Sequence, residues 1–269
     1  MKFACKYCEQ INPDTADYCS ACGRHIKGPS DIPERNLKVL VIHAIMVYKR
    51  GFFQFIAIAL LAEIPNLLGY AFADNLRNYI FVLSLPLYFL STSAGIYGTA
   101  LVVSGHRLDV GICYSKALNK FPHIFLAYLM MILACIGASV LALILIGIPI
   151  LAYLLVIWFF VLQVLMFEGA TAIGSLERSR SIVDGNWWRV FGRMIVLVGV
   201  PGAVYFSALL IIQSLTSELA TIVVSSILAL LVTPFTLIGP TLAYIDMRVR
   251  KEGYDLSTLN SEIGYLPKD

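Results

Sequence analysis

Hydrophobic residues along the chain come in long uncharged blocks instead of alternating with polar residues. A helix needs about 20 apolar residues to cross a bilayer core of about 30 Å. This pattern predicts an all-α transmembrane fold with about six membrane-spanning helices. The blocks lie near residues 52–72, 79–103, 123–146, 149–167, 190–212 and 219–245.

The third and fourth blocks are separated only by Gly147, Ile148 and Pro149. A tight turn between two antiparallel spans explains this separation, because proline removes a backbone donor and ends a helix. One long re-entrant pair is the alternative. We prefer two spans, since residues 123–167 are about twice as long as one crossing requires.

The composition agrees with a membrane environment. Hydrophobic residues make up 59% of the chain and charged residues 14%, whereas soluble domains are about one quarter charged. The mean hydropathy is +0.80. The formal net charge of +3 is too small to indicate nucleic-acid binding.

Lysine and arginine predict the orientation, because short loops rich in these residues stay in the cytoplasm. The segments before the first span, between spans two and three, between four and five, and after six hold 8, 3, 4 and 4 of the 20. Arg77, after the first span, is the other one. We therefore predict a multi-pass protein of the plasma (inner) membrane with both termini in the cytosol.

Amphipathic segments precede the first, third and fifth spans, and the joins read KRGFFQFIAIAL, NKFPHIFLAYLM and GNWWRVFGRMIV. Helical spacing predicts that the first segment lies in the membrane interface. The third segment places Ile173, Leu176, Val183 and Trp187 on one face, and the second, residues 108–120, has a weaker pattern. Three repeated helix-hairpin units are one interpretation, and chance likeness among apolar sequences is the other. The apolar face of the first segment comprises Leu37, Leu40, Val41, Ala44, Ile45 and Tyr48.

Four cysteines near the N-terminus are spaced C-x2-C-x10-C-x2-C, as Cys5, Cys8, Cys19 and Cys22. Two such pairs can supply four thiolates to one tetrahedral Zn²⁺. Two disulfides are the alternative, but the predicted cytosolic location favours metal. A closed four-thiolate site leaves no position for water, so we predict a structural zinc.

These features divide the chain into four parts. A zinc ribbon occupies residues 1–28, and a linker with an interfacial helix occupies 29–51. The six-span domain covers 52–246, and a cytosolic tail covers 247–269. A group of charged residues lies where the last span meets the tail, and we expect their side chains to reach the membrane surface and anchor that span. This group comprises Asp246, Arg248, Arg250 and Lys251.

Glu63 is the ionisable residue that lies well inside a predicted span, in the sequence AEIPN. A charge at mid-span costs about 2.5 to 3.5 kcal/mol on insertion scales. Glu63 and Asn66, beside Pro65, are therefore candidates for an intramembrane polar site in a broken helix. The alternative is a protonated Glu63 packed against a neighbouring helix, or a position nearer the membrane surface.

A cluster of arginine and tryptophan precedes the fifth span. Tryptophan favours the headgroup region, and arginine binds anionic headgroups, although such clusters also follow from topology alone. The candidates for headgroup contact are Arg178, Arg180, Trp187, Trp188, Arg189 and Arg193.

Two parts of the sequence resemble known families. The opening FACKYCEQINPDTADYCSACGRHI is similar to the short zinc ribbons that precede many prokaryotic membrane proteins. RSRSIVDGNWWRVFGRMI and AYIDMRVRKEGYDLSTL resemble the membrane domain found beside glycerophosphoryl diester phosphodiesterases. The soluble segments are too short for the catalytic barrel of those enzymes, and that membrane domain contributes no catalytic residues.

The sequence contains no H-E-x-x-H, G-x-S-x-G, P-loop or dinucleotide-binding motif. We therefore expect a non-enzymatic scaffold or regulator whose cytosolic ribbon binds a cytosolic or membrane protein. The alternative is a permease or lipid-handling protein that uses polar residues near Glu63. A net charge of +1 over residues 1–28 argues against nucleic acid as the partner.

Overall fold

A computed structural model describes residues 2–4, 11–13, 34–69, 74–142 and 147–264 of the chain. Strands β1 (Lys2–Ala4) and β2 (Ile11–Pro13) pair in antiparallel register at its N-terminal end. The rest of the described chain is predominantly helical. Five helical segments are long and apolar enough to cross a membrane, and a sixth arises if one bent pair is a single span. The prediction of an α-helical fold with about six long apolar helices is confirmed within the described residues.

Eleven α-helices follow the hairpin within the described ranges, and one π-helical segment joins α8 to α9. The helices are α1 (Leu37–Arg50), α2 (Phe52–Gly69), α3 (Asp74–Val103), α4 (Val110–Ala142), α5 (Gly147–Ile157), α6 (Val161–Glu168), α7 (Ala172–Val183), α8 (Trp187–Met194), α9 (Val200–Leu215), α10 (Glu218–Glu252) and α11 (Leu256–Ile263).

Helices α3 and α10 lie at the centre of the molecule. In the apolar part of α3, Ser84–Val103, 78% of the residues in an 18-residue apolar stretch are buried, whereas the corresponding share in Trp187–Leu215, which contains α9, is 6%. Helix α9 exposes large apolar side chains such as Val204, Phe206 and Ile211. Exposed apolar surface of this extent suits lipid rather than water.

Helix α1 meets α2 at an angle of 88° around Gly51. Leu40, Ala44 and Val47 are buried, and α1 packs mainly against α10. Leu40 and Ala44 of the predicted apolar face thus pack against the protein, whereas Ile45 of the same face is 42% exposed. A helix that is apolar on its protein-facing side and on part of its outer side fits a position beside lipid.

The three predicted joins have different geometries. Helix α4 continues through Pro122, so the second amphipathic segment and the third span form one helix. Asp109 starts this helix by accepting a hydrogen bond from the amide of Ile112 at 2.9 Å. The third join is a turn at Gly185, whose φ of 73° suits glycine. The likeness of the three sequences therefore does not extend to a common backbone path.

The span after α4 is interrupted between α5 and α6, at residues 158–160. The break is stabilised by Ser179 of α7, which donates to the carbonyl oxygen of Ile157 at 2.7 Å and accepts from the amide of Phe160 at 3.2 Å. A buried helix break needs such partners, because membrane helices have no water to satisfy freed backbone groups.

The π-helical segment Ile195–Gly199 lies between α8 and α9. The amide of Val200 donates to the carbonyl of Ile195, five residues back, and Pro201 follows directly. Proline has no N–H and its ring crowds the carbonyl four residues earlier, here that of Leu197, so the local widening has a steric cause. Leu197 also packs closely against Gly239 of α10.

Candidate functional site

Several helix ends meet at one end of the bundle, which we call the charged end. Tyr97 of α3 donates to the carbonyl of Ile263 in α11 at 2.7 Å. Lys251 at the end of α10 donates to the carbonyl of Ser181, in the last turn of α7, at 2.7 Å. The connections that contain most of the predicted cytosolic lysines and arginines are thus brought together.

Helix α10 presents two sets of charged residues at this end. Residues 246 and 250 lie one turn apart on one face, and residues 244, 248 and 252 lie about 200° away on the other. Each set gathers charges from other elements. The Asp246 cluster contains Glu34, Arg35, Arg193, Asp246 and Arg250, and the Arg248 cluster contains Glu168, Arg178, Tyr244, Arg248, Glu252, Tyr254 and Glu262.

Asp246 is fully buried at the centre of the first cluster. Its Oδ2 accepts from Arg193 Nη2 of α8 at 2.5 Å and from Arg250 Nε at 2.8 Å. Its Oδ1 accepts from the backbone amide of Arg35 at 2.5 Å. One buried carboxylate therefore joins α8, α10 and the segment that precedes α1.

The segment before α1 is held to the bundle through both its backbone and its side chains. The carbonyl of Arg35 accepts from Arg250 Nη2 at 2.9 Å and from Arg193 Nη2 at 3.3 Å. Glu34 forms an ion pair with Arg250 at 2.8 Å. The chain that leaves the four-cysteine region is consequently fixed in position where it reaches the helices.

The Arg248 cluster lies on the opposite face of α10. Arg248 pairs with Glu262 of α11 at 2.8 Å and with Glu252 at 3.0 Å, and lies 3.8 Å from Glu168. Its guanidinium carbon stands 4.0 Å from the ring centroid of Tyr254, in cation–π geometry. Arg248 is thereby surrounded by negative charge and an aromatic face.

Arg178 and Tyr244 complete this second cluster. Arg178 binds Glu168 and Glu252, each at 2.6 Å, and the hydroxyl of Tyr244 donates to Glu168 at 2.6 Å. Burial lowers the pKa of Arg178, but hydrogen bonds and charges from these two carboxylates outweigh that effect and raise it overall. The Arg248 cluster is therefore closed, with each arginine matched by carboxylates.

The first cluster has the opposite balance. Burial lowers the pKa of Arg35, and Asp246 only partly opposes this effect. Nη1 of Arg35 and Nη1 of Arg193 are buried and have no hydrogen-bond partner among the residues that the structure describes. The two residues are 8% and 4% exposed. Positive charge here exceeds what Asp246 and Glu34 neutralise.

The snorkelling interpretation of the last span is wrong for Asp246 and Arg248. They are 0% and 6% exposed, so neither reaches outward to water. Both are buried because ion-pair partners on other elements satisfy them, as buried charges require. Lys251, by contrast, reaches the carbonyls at the end of α7, where a cation is favoured.

A pocket of about 420 Å³ opens beside the Asp246 cluster. It is lined by residues 35–37, by Trp188, Arg189, Gly192 and Arg193 of α8, and by Arg250. Trp188 is 77% exposed at this position. Three of the six predicted headgroup residues, Trp188, Arg189 and Arg193, are thus brought to one pocket.

The other three predicted headgroup residues lie elsewhere. Arg178 belongs to the Arg248 cluster, and Arg180 and Trp187 line a smaller pocket together with Tyr153. The ring of Trp187 stacks on Phe191, with centroids 5.1 Å apart. The six residues therefore do not form one surface.

Glu63 lies half-buried on α2, two residues before Pro65, which is itself buried. The side chain of Asn66 and the cysteines Cys5, Cys8, Cys19 and Cys22 lie outside the described part of the chain. Among residues 34–69, 74–142 and 147–264, no three His, Cys, Asp or Glu side chains are grouped to hold a metal ion. The zinc prediction therefore stays a prediction.

Sequence reasoning missed Arg35 and Glu262 as members of these clusters. Arg35 and Asp246 are separated by 211 positions, and no local pattern links them. The sequence signal that could have indicated such a cluster is Asp246 at the end of an apolar run, because a carboxylate near the membrane interior requires cationic partners.

Comparisons of the chain with protein-family models, with curated proteins and with solved structures each give no match. The two clusters and the pocket are therefore interpreted from their own chemistry.

Proposed function

We propose that this multi-pass membrane protein is a non-enzymatic scaffold or regulator whose N-terminal four-cysteine segment binds zinc and docks a partner protein. The observation that carries this proposal is the attachment of Glu34 and Arg35 to the Asp246 cluster. Residues 34 and 35, which follow the four-cysteine segment in the chain, are held to the helices by an ion pair from Glu34 and a buried backbone hydrogen bond from Arg35, and in this proposal that attachment positions a bound partner at the membrane.

The donor set of the N-terminal segment suits zinc. Cys5 and Cys8 fall between the paired strands β1 and β2 in the sequence, an arrangement compatible with a metal-binding hairpin. Together with Cys19 and Cys22 they supply four thiolates, and such a closed site organises the fold of a small domain. The likeness of residues 3–26 to prokaryotic zinc ribbons supports the same assignment.

The proposal places both termini and the charged end in the cytosol, with the helices in the plasma (inner) membrane. The distribution of lysine and arginine supports this orientation. In the proposed arrangement α1 lies along the cytosolic interface, which agrees with its 88° angle to α2. The resemblance of the membrane region to a domain that accompanies phosphodiesterases supports an anchoring role without catalysis.

The proposal is tested on the full chain by affinity purification from native membranes. We expect deletion of residues 1–30, and equally Cys5→Ser with Cys8→Ser, to remove one or more partner proteins and the bound zinc. Metal analysis of the wild type should give about one zinc per chain. Cys135→Ser is the matched control, since Cys135 lies in α4 outside the motif.

An unchanged set of partners after the deletion would show that the ribbon is not a docking element. A wild-type chain without zinc, or equal zinc in the wild type and in the double cysteine variant, would refute the metal assignment.

A second candidate function is lipid handling or permeation through polar residues near Glu63. The observation in its favour is a half-buried carboxylate beside a buried proline in an apolar helix, since intramembrane charge is costly unless it serves a purpose. Glu63→Gln should abolish proton- or ion-dependent uptake in reconstituted vesicles. Unchanged uptake by this variant would exclude Glu63 from the site.

A further inference from the structure

The pocket beside the Asp246 cluster contains an unusual concentration of arginine. Four arginines line it, Arg35, Arg189, Arg193 and Arg250. Among the described residues, the carboxylates in contact with them are Asp246 and Glu34, which leaves an excess of two positive charges within this part of the chain. Uncompensated charge in a partly buried site favours binding of an anion.

Two of these arginines offer donors that the described protein does not use. Arg35 and Arg193 are more than nine-tenths buried, and Nη1 of each has no hydrogen-bond partner among the described residues. A buried unsatisfied donor on a charged group is costly. An oxyanion in the pocket would satisfy both donors, because guanidinium groups match carboxylate and phosphate oxygens.

The backbone adds to this preference. Helix α1 begins at Leu37, which lines the pocket, and its N-cap residue Asn36 makes no side-chain capping bond. The positive end of the helix dipole and its free amide groups therefore face the same region, where they favour an anion.

The surroundings of the pocket indicate where the anion comes from. Trp188 projects at its edge with 77% of its surface exposed, and Ile195 one turn beyond the pocket is 44% exposed. The apolar segment Trp187–Leu215 continues from there with few of its residues fully buried. Tryptophan marks the headgroup region, and exposed apolar side chains beyond it suit acyl chains.

We propose that the pocket formed by Arg35, Arg193 and Arg250 with Trp188 and Arg189 binds the phosphate of an anionic membrane phospholipid. The phosphate contacts the guanidinium groups of Arg35 and Arg193 at the wall of the pocket, and the acyl chains follow the outer face of α8 and α9. Because Arg35 also belongs to the segment that connects the four-cysteine region to α1, the lipid binds where that segment is attached.

A second pocket of the same protein can be compared with the pocket beside the Asp246 cluster. A larger pocket, of about 590 Å³, is lined by Arg50, His106, Arg107 and Asp109. Its two arginines are exposed, and His106 contacts Asn260 at 3.3 Å. This pocket offers arginines of the same chemical type without buried unused donors, so it provides the control.

The test uses the full chain in nanodiscs of phosphatidylcholine alone and of phosphatidylcholine mixed with phosphatidylglycerol, with lipid retention measured by native mass spectrometry and stability by thermal unfolding. We expect retained phosphatidylglycerol and a higher melting temperature in the mixed nanodiscs. Arg35→Met should reduce phosphatidylglycerol retention at least about tenfold, and Arg107→Met should leave it unchanged.

Arg35→Met is suitable because the contacts that hold residue 35 to Asp246, Arg193 and Arg250 are made by its backbone. Arg189→Gln, at an exposed position, is a second variant and should weaken retention less. Equal retention of the two lipids, or equal phosphatidylglycerol retention in the wild type and Arg35→Met, would overturn the proposal.

Inorganic phosphate added to phosphatidylcholine nanodiscs distinguishes the two sources of the anion. If inorganic phosphate raises the melting temperature less than phosphatidylglycerol does, the result supports a lipid as the source of the anion. A stabilisation as large as that with phosphatidylglycerol, abolished by Arg35→Met, would overturn the lipid assignment and indicate a soluble phosphate compound. These outcomes do not depend on zinc or on a protein partner, so they can fail independently of the proposed scaffold function.

Discussion

The Arg248 cluster and the Asp246 cluster lie on opposite faces of one helix and differ in how their charges are matched. In the Arg248 cluster, Arg178 and Arg248 are bound by three glutamates, Glu168, Glu252 and Glu262. In the Asp246 cluster, one buried aspartate accepts hydrogen bonds from two arginine side chains and a backbone amide. The Arg248 cluster has an excess of negative charge and the Asp246 cluster an excess of positive charge.

This difference assigns the two clusters different roles, a structural one for the Arg248 cluster and a structural and anion-binding one for the Asp246 cluster. A cluster whose arginines are fully matched can hold α6, α7, α10 and α11 together but has no positive charge left to bind an anion. A cluster with surplus cations and unused donors holds the N-terminal segment and also attracts an anion. Buried ion pairs are costly to break in either case, because removing one partner leaves the other charge without compensation.

The largest effect is expected from Asp246→Asn. The substitution keeps the shape of the side chain but leaves Arg193 and Arg250 without their shared carboxylate, which should cost about 3 to 5 kcal/mol of unfolding free energy. Denaturation by sodium dodecyl sulfate in mixed micelles measures this loss. Asp184→Asn is the control, since Asp184 is exposed, and equal stability of the two variants would contradict the central role of Asp246.

Arg248→Leu should have the next largest effect. Three carboxylates lose a cation, but Glu168 and Glu252 keep Arg178, so we expect a loss of about 2 to 3 kcal/mol. Retention of phosphatidylglycerol should be unchanged below the melting temperature. Arg180→Leu, at an exposed position on the same end of the molecule, should change stability by less than about 0.5 kcal/mol.

If Arg248→Leu reduced lipid retention as much as Arg35→Met, the two clusters would not be functionally distinct. The same measurement on Arg180→Leu separates a specific effect from a general loss of positive charge.

A smaller effect is expected from Gly239→Ala, which acts on one side of α10 only. Gly239 lies two turns before Asp246 on the same face, and a Cβ atom there would come within 3.1 Å of Leu197 Cβ. The added methyl group should push α10 from the segment that follows Arg193 and cost about 1 to 2 kcal/mol. Gly202→Ala, which meets nothing within 4 Å, should be neutral or slightly stabilising.

Tyr254→Phe should have the smallest effect at neutral pH and a distinct effect in alkali. Its hydroxyl donates to Glu262 at 2.6 Å, and losing this bond should cost about 1 kcal/mol. Burial and the Glu262 carboxylate raise the pKa of Tyr254, with Arg248 opposing them. The phenol is neutral in both states below pH of about 10, so its contribution is constant there.

Above that pH the unfolded chain loses the phenolic proton while the folded chain keeps it, so stability falls as pH rises. Without the hydroxyl, the alkaline decline in unfolding free energy should become shallower by up to about 1.4 kcal/mol per pH unit. Melting temperatures between pH 8 and pH 11 or so would measure it, with Tyr153→Phe at an exposed position as control. Identical pH profiles of the wild type and Tyr254→Phe would show that this phenol is not part of a closed cluster.

Part of the candidate site could be predicted from the sequence. Tryptophan and arginine at the start of an apolar run indicated headgroup contact, and Trp188, Arg189 and Arg193 do line one pocket. The same pattern included Arg178, which the fold places in the other cluster. Local spacing could not separate these residues, because the decisive carboxylates lie on α6, α10 and α11.

The six apolar runs and their approximate limits followed from the sequence alone, because crossing a bilayer requires a minimum length of uncharged helix and that requirement is local. Which arginines are neutralised followed only from the tertiary structure. Coulombic attraction and hydrogen bonds act over a few ångströms in space, so the pairing of residue 35 with residue 246 exists only once α1, α8 and α10 have packed together.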